Sequence, residues 1–137
     1  MKEQAEEPRK EKYHWAQFDE DMQKIADWAR EYSFKSVYGL PRGGLVPAVA
    51  LSHLLDIPLI LDRHQISRDT LVVDDIIDKG EIIERFLSGL LIEPKIAVIF
   101  FNEEATHRPD FFVRTKKYWV VFPWETSETS RYDMTVS

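Results

Sequence analysis

Three aspartates fall within five positions of the stretch 70–83, TLVVDDIIDKGEII, just after four residues suited to a buried strand. Asp74 and Asp75 are adjacent where that strand ends, so their side chains diverge to opposite faces. Adjacent carboxylates serve a hard cation, sugar hydroxyls, or both. Asp78 follows in the turn, and Lys79 and Gly80 precede a helical pattern whose first amides suit a phosphate. The same residues also make sense as structure alone: Asp78 with Glu81 is a capping-box-like helix start, and Asp75 serves as a turn residue.

A second stretch, GLPRGGL at 39–45, offers different chemistry. Gly43 and Gly44 let the backbone approach a ligand closely, and the helix that follows points free N–H groups at the loop. Arg42 adds a permanent planar cation able to grip phosphate through two donors. The plain alternative is a strand-to-helix turn with a surface arginine. The spacing fits neither a Walker loop nor a dinucleotide fingerprint.

The elements that must position these turns follow from periodicity. Phe18, Met22, Ile25, Ala26 and Ala29 lie at helical spacing and predict an amphipathic helix over 16–32. Strands are expected at 34–39, 59–61, 70–73 and 95–101, with buried or amphipathic helices at 45–55 and 81–88. Pro47 is tolerated in the first turn of its helix. FFVR and YWVVF are two further β-prone runs, separated by Lys116 and Lys117. This order predicts an α/β fold, a mostly parallel twisted sheet with helices on both faces. Ligands in such sheets bind at the carboxyl ends of strands, where strand order reverses, and loops 40–44 and 74–80 both qualify. A phospho-acceptor receiver domain also places paired acids near a strand end, but its acids and lysine are scattered over separate strands.

Size and composition bound the partners. A chain of 137 residues, 44% hydrophobic, is enough for one domain with a real core. A polar tail is expected at 1–12, the domain at 13–125 and a second polar tail at 126–137. The net charge of −6 argues against nucleic acid or an anionic membrane as main partner. The absence of cysteine excludes disulfides and thiolate zinc sites. A charged N-terminus and the lack of a long apolar run lead us to expect a cytoplasmic protein.

Taken together, the two turns resemble those of the type I phosphoribosyltransferases. VVDDIIDKG is similar to the family's phosphoribosyl-pyrophosphate signature, and VYGLPRGGLVPAVAL to its pyrophosphate loop. YWVVFPWE at 118–125 resembles the C-terminal segment of the xanthine-guanine and related 6-oxopurine branch. The resemblance runs from about Tyr13 to Glu125. It implies an enzyme of purine salvage that transfers a phosphoribosyl group from phosphoribosyl pyrophosphate to guanine, xanthine or hypoxanthine, with Mg²⁺ as cofactor and a homo-oligomer, dimer or tetramer, as the working form.

The same resemblance assigns roles. Asp74 and Asp75 would hold the ribose hydroxyls and help order Mg²⁺, and Asp78 would accept the purine proton. Lys79 and Gly80 would cradle the 5′-phosphate. Arg42, Gly43 and Gly44 would hold pyrophosphate through their amides, with a cis peptide between Pro41 and Arg42. Trp119 would stack on the base, while the amide and carbonyl of Val120 read its edge. Asn102 stands where the 6-oxopurine branch has a lysine for the base oxygen.

Two further departures are legible. Asp78-Lys79-Gly80-Glu81-Ile82 lacks the hydroxyls of the family's phosphate turn, and HQISRD at 64–69 leaves almost no room for the usual lid. A reduced lid and hood are therefore expected. A non-catalytic relative that binds a nucleotide or phosphoribosyl compound as a regulator is the alternative.

Overall fold

Side chains that alternate between two apolar clusters build the central sheet. In the computed structural model, which describes residues 9–126 and 128–129, β2 (Ser36–Gly39), β3 (Thr70–Ile77), β4 (Lys95–Phe101) and β5 (Phe111–Thr115) lie side by side in that order, all parallel. Leu71, Val73, Ala97 and Ile99 face one layer, formed by α1 (Trp15–Ala29) and α2 (Leu45–Leu55). Val72, Ile96 and Val98 face the other, formed by α3 (Glu81–Ser88). Helices therefore cover both faces, as the continuous apolar runs predict.

The predicted stripe of α1 is buried along its length, together with Asp21. The helix ends at Ala29 rather than at 32, where the Arg30 amide closes on the Ala26 carbonyl. α2 and α3 occupy the expected ranges, and Pro47 is buried in the first turn of α2.

The strand expected at 59–61 is a single parallel bridge, Leu59 to Val37, on the outer edge of β2. It is nonetheless informative. From β2 the chain crosses through α2 to that outer edge, then returns to lay β3 on β2's other side. Strand order reverses between β2 and β3, and the two candidate turns follow those two strands.

Two expectations need correction. β3 does not stop at Val73 but runs to Ile77, because β4 continues to pair with it as far as Phe101. β2 ends at Gly39, with the Leu40 amide bonded to the Val73 carbonyl, so from Asp74 onward no strand of the described residues pairs with that edge of β3. Lys10–Lys12, assigned to the polar tail, instead form β1, which pairs in parallel with β6 (Trp119–Val121). An edge pair held by backbone bonds needs no apolar alternation, so nothing in the pattern KEK announces it. The rest of the expected N-terminal tail, and most of the C-terminal one, lies outside the described residues.

The alternation breaks once. Val73 and Ile76 pack on the same side, as do Ile99 and Phe100 on β4. On β5, Val113 and Arg114 both turn toward the α1 side, where Arg114 reaches Asp21. The ladders skip the pairs at that level, Asp75 with Ile99 and Ile99 with Val113. A shift of one residue in phase thus crosses three strands in step. It brings Asp75 and Asp78, whose odd spacing would otherwise separate them, to the same side.

Candidate active site

The turns after β2 and β3 meet in one cavity of about 430 Å³, lined by Arg42, Gly43, Asp74, Asp75, Asp78 and Trp119 among others. Their contact is close. A Cβ added to Gly43 would lie 2.0 Å from Asp75 Oδ2, so only glycine lets the loop pass the carboxylate. The Pro41–Arg42 peptide is cis, as the resemblance implies.

Inside the glycine turn the amides are not equivalent. Gly44 N–H is committed to the Leu40 carbonyl (2.8 Å) and Leu45 N–H to that of Arg42 (3.2 Å). The expectation that Gly44 offers its amide to a phosphate is therefore corrected: that donor closes the turn. No hydrogen bond within the described residues engages the Gly43 amide, which remains available.

The acid turn adjoins a second cavity of about 180 Å³, lined by Lys79, Gly80, Glu81 and Ile82 and sharing Asp74 and Asp78 with the first. Gly80 has φ 97°, a conformation that glycine adopts without strain. The Lys79 carbonyl accepts from both the amide and the hydroxyl of Thr106 (3.0 and 3.1 Å). That fixes the peptide and turns the Gly80 N–H the opposite way, alongside the first amides of α3. Glu81 contributes a negative charge at the same helix start.

Asp74 and Asp75 supply hard oxygen donors in the second half of β3, where they line the cavity. Asp75 is buried, and Asp74 Oδ1 accepts the Asp75 amide (2.8 Å). No cluster of three or more metal-ligating side chains occurs among the described residues. Two carboxylates suit an ion that draws most of its shell from water and substrate oxygens, which is the habit of Mg²⁺.

Among the described residues, Asp78 is held through one oxygen. Its Oδ1 accepts from Lys116 Nζ (2.7 Å) and Asn102 Nδ2 (3.1 Å). Burial alone would raise its pKa, but these two hydrogen bonds, with the charges of Lys116 and Lys79, carry it below the usual carboxylate range. Asn102, expected to face the base, is engaged beside Asp78. It does not line the cavity: its amide nitrogen supports Asp78 and its oxygen accepts the Glu104 amide (3.1 Å). Lys116, passed over in the sequence, lines the cavity, with its ammonium 5.6 Å from the centre of the Trp119 ring.

Trp119 and Val120 lie across the cavity on β6. Trp119 N–H bonds the Arg9 carbonyl and the Val121 carbonyl accepts Tyr13 N–H, so the amide and carbonyl of Val120 point away from β1. Glu125, also missed by sequence reasoning, accepts the Phe122 amide at the cavity wall. Burial, reinforced by Asp75 and opposed by Phe122 N–H and Arg42, pushes its pKa up to about 7. The segment before β3 is a short internally bonded turn, with Asp62 accepting the His64 amide and Thr70 the Ser67 amide.

No family model matches the chain. It is 34% identical to a purine phosphoribosyltransferase from Pyrococcus horikoshii Ot3, whose crystal structure superimposes with a TM-score of 0.74 over 85% of this chain and 94% of that one. It is 25% identical over 136 residues to xanthine-guanine phosphoribosyltransferase from Nitratidesulfovibrio vulgaris (strain DP4), covering 82% of each chain. It is 27% identical over 138 residues to the enzyme of the same name from Desulfotalea psychrophila (strain LSv54 / DSM 12343), covering 82% of this chain and 84% of that one.

Proposed function

The chain belongs to the purine phosphoribosyltransferases, and on that premise we propose that it transfers a phosphoribosyl group from phosphoribosyl pyrophosphate to a 6-oxopurine. The products are a nucleoside monophosphate and pyrophosphate. The observation that carries this reading is the meeting of the two turns, Gly43 against Asp75, in one cavity walled by Trp119. The names of the two curated relatives, which pair xanthine with guanine, support the choice of base.

Position supports the following roles. Arg42 and the Gly43 amide face the departing pyrophosphate, and Asp74 and Asp75 face the ribose hydroxyls. These two carboxylates would also hold Mg²⁺, which supplies positive charge to the pyrophosphate oxygens when bound. Lys79, the Gly80 amide and the start of α3 take the 5′-phosphate. Trp119 stacks on the base and Val120 reads its edge through the backbone. As N9 of the base bonds C1 of the ribose and the C1–O bond to pyrophosphate breaks, Asp78 accepts the proton that N7 loses. Lowered as it is, Asp78 is ionised throughout neutral pH and acts chiefly by orienting and stabilising that proton.

The test is direct. The protein is incubated with phosphoribosyl pyrophosphate, MgCl₂ and guanine, xanthine or hypoxanthine, and nucleotide is separated by chromatography. Nucleotide from at least one of them is expected; product only from adenine or from pyrimidines contradicts the proposal. A homo-oligomer in the cytoplasm belongs to the same reading, and light scattering on the purified protein tests its subunit number. No helix among the described residues is long and apolar enough to cross a membrane.

A further inference from the structure

The side chain of Lys116 is 16% exposed, yet among the described residues its ammonium has one hydrogen-bond acceptor, Asp78 Oδ1. An ammonium carries three donors, and leaving buried donors unmatched is unfavourable. Its other near neighbour is the face of Trp119. The cation therefore sits between the carboxylate that faces a base nitrogen and the ring on which the base lies.

We propose that Lys116, delivered from the end of β5, is the residue that selects the base, by donating to a carbonyl oxygen adjacent to the nitrogen that faces Asp78. The proposal rests on the function proposed above and deepens it. In a purine, the N7–H and the group on C6 point the same way from neighbouring positions. Asp78 and Lys116 present an acceptor and a donor side by side, the complement of an N–H beside a C=O. An amino group on C6 would turn its own donors against the ammonium, and a hydrogen there would leave the ammonium unmatched. Asn102 is directed elsewhere: its Nδ2 donates to Asp78 Oδ1 and its Oδ1 accepts the Glu104 amide. Asn102 and Lys116 thus share Asp78 Oδ1, which leaves Asp78 Oδ2 without a hydrogen bond among the described residues.

The experiment compares hypoxanthine, adenine and unsubstituted purine, which differ at C6 and in the proton on N1, as acceptors for the full chain and two variants. The change of each ratio between the unaltered chain and the variants isolates the contact at C6. Lys116→Met removes the donors. Lys116→Gln keeps a hydrogen bond to Asp78 but can accept as well as donate. For the unaltered protein kcat/KM should favour hypoxanthine over adenine by at least about 10²-fold. In both variants that ratio should fall by about tenfold or more, with the affinity for phosphoribosyl pyrophosphate unchanged. If the variants slow all three bases equally, Lys116 only holds Asp78 in place and the inference is overturned. If they change nothing, it is overturned as well. If the unaltered protein makes nucleotide from none of the bases while binding no phosphoribosyl pyrophosphate, the proposed function falls and this inference with it.

Discussion

The end of β5 carries two cations that each meet an aspartate, and the two pairs differ in a way that separates scaffold from site. Arg114 meets Asp21, which is fully buried. Its Oδ2 accepts Arg114 Nε (2.7 Å) and the Tyr13 hydroxyl, and its Oδ1 accepts Arg114 Nη2 (3.2 Å), so both oxygens are used. Tyr13 is correspondingly driven far above its ordinary pKa by burial and by its bond to Asp21. Lys116 meets Asp78, whose Oδ1 takes both donors and whose side chain keeps 35% exposure. A pair completed from within the protein stabilises the fold; a pair with one oxygen left over is available to a ligand.

This contrast can be broken from either end. Asp21→Ala leaves the buried Tyr13 hydroxyl without its acceptor and Arg114, itself 29% exposed, without its partner, and should cost about 1–3 kcal/mol in denaturant unfolding, while the folded fraction keeps its KM values. If instead activity is lost at unchanged stability, the roles assigned to the two pairs are reversed. Asp78→Asn should do the opposite: kcat falls about 10²-fold with a stability change under about 1 kcal/mol, since the Asp78 side chain is 35% exposed and an amide oxygen still accepts from Lys116. Because its carboxyl is held below the usual range, the acid limb of the pH–rate profile should lie below that range, activity failing only as pH falls through the lowered pKa.

Trp119→Ala should raise KM for the base by the equivalent of about 1–3 kcal/mol and leave phosphoribosyl pyrophosphate affinity intact. Equal losses for both substrates would place the ring outside the base subsite. Glu125 sharpens the picture least but most cheaply. Its pKa is raised from 4.5 to about 7, so it binds its proton more tightly in the folded state. The stability it contributes is present below its unfolded value and is lost as pH rises through about 7. Glu125→Gln should therefore raise the melting midpoint more at pH 8 than at pH 5, by the equivalent of about 1 kcal/mol.

Much of this was legible in the residues. The ranges of α2, α3 and β4 follow from apolar runs bounded by glycine, proline and charge. Both turns were found because their chemistry is local: Arg42 to Gly44 and Asp74 to Gly80 are each one short stretch. What surrounds Asp78 was not, because Asn102 and Lys116 reach it from other strands, and their meeting depends on register. The shared shift of phase at Asp75, Ile99 and Val113 compounds this, since counting by twos puts Asp78 on the wrong side. Lys116 read as a spacer between two β-prone runs. The clue was a lysine ending a strand beside the one expected to lead to the base. β1 stayed hidden because its bonds are all backbone.

The central claim is that the two turns act as one receptor for a magnesium-bound sugar phosphate, and they touch at Gly43 and Asp75. Calorimetric titration of phosphoribosyl pyrophosphate into the unaltered chain and into Gly43→Ala, with MgCl₂ and with EDTA, tests it most directly. The account predicts binding to the unaltered chain only when magnesium is present, and none to the folded variant, whose added methyl group displaces Asp75. Equal binding by both proteins, or binding indifferent to magnesium, would contradict it.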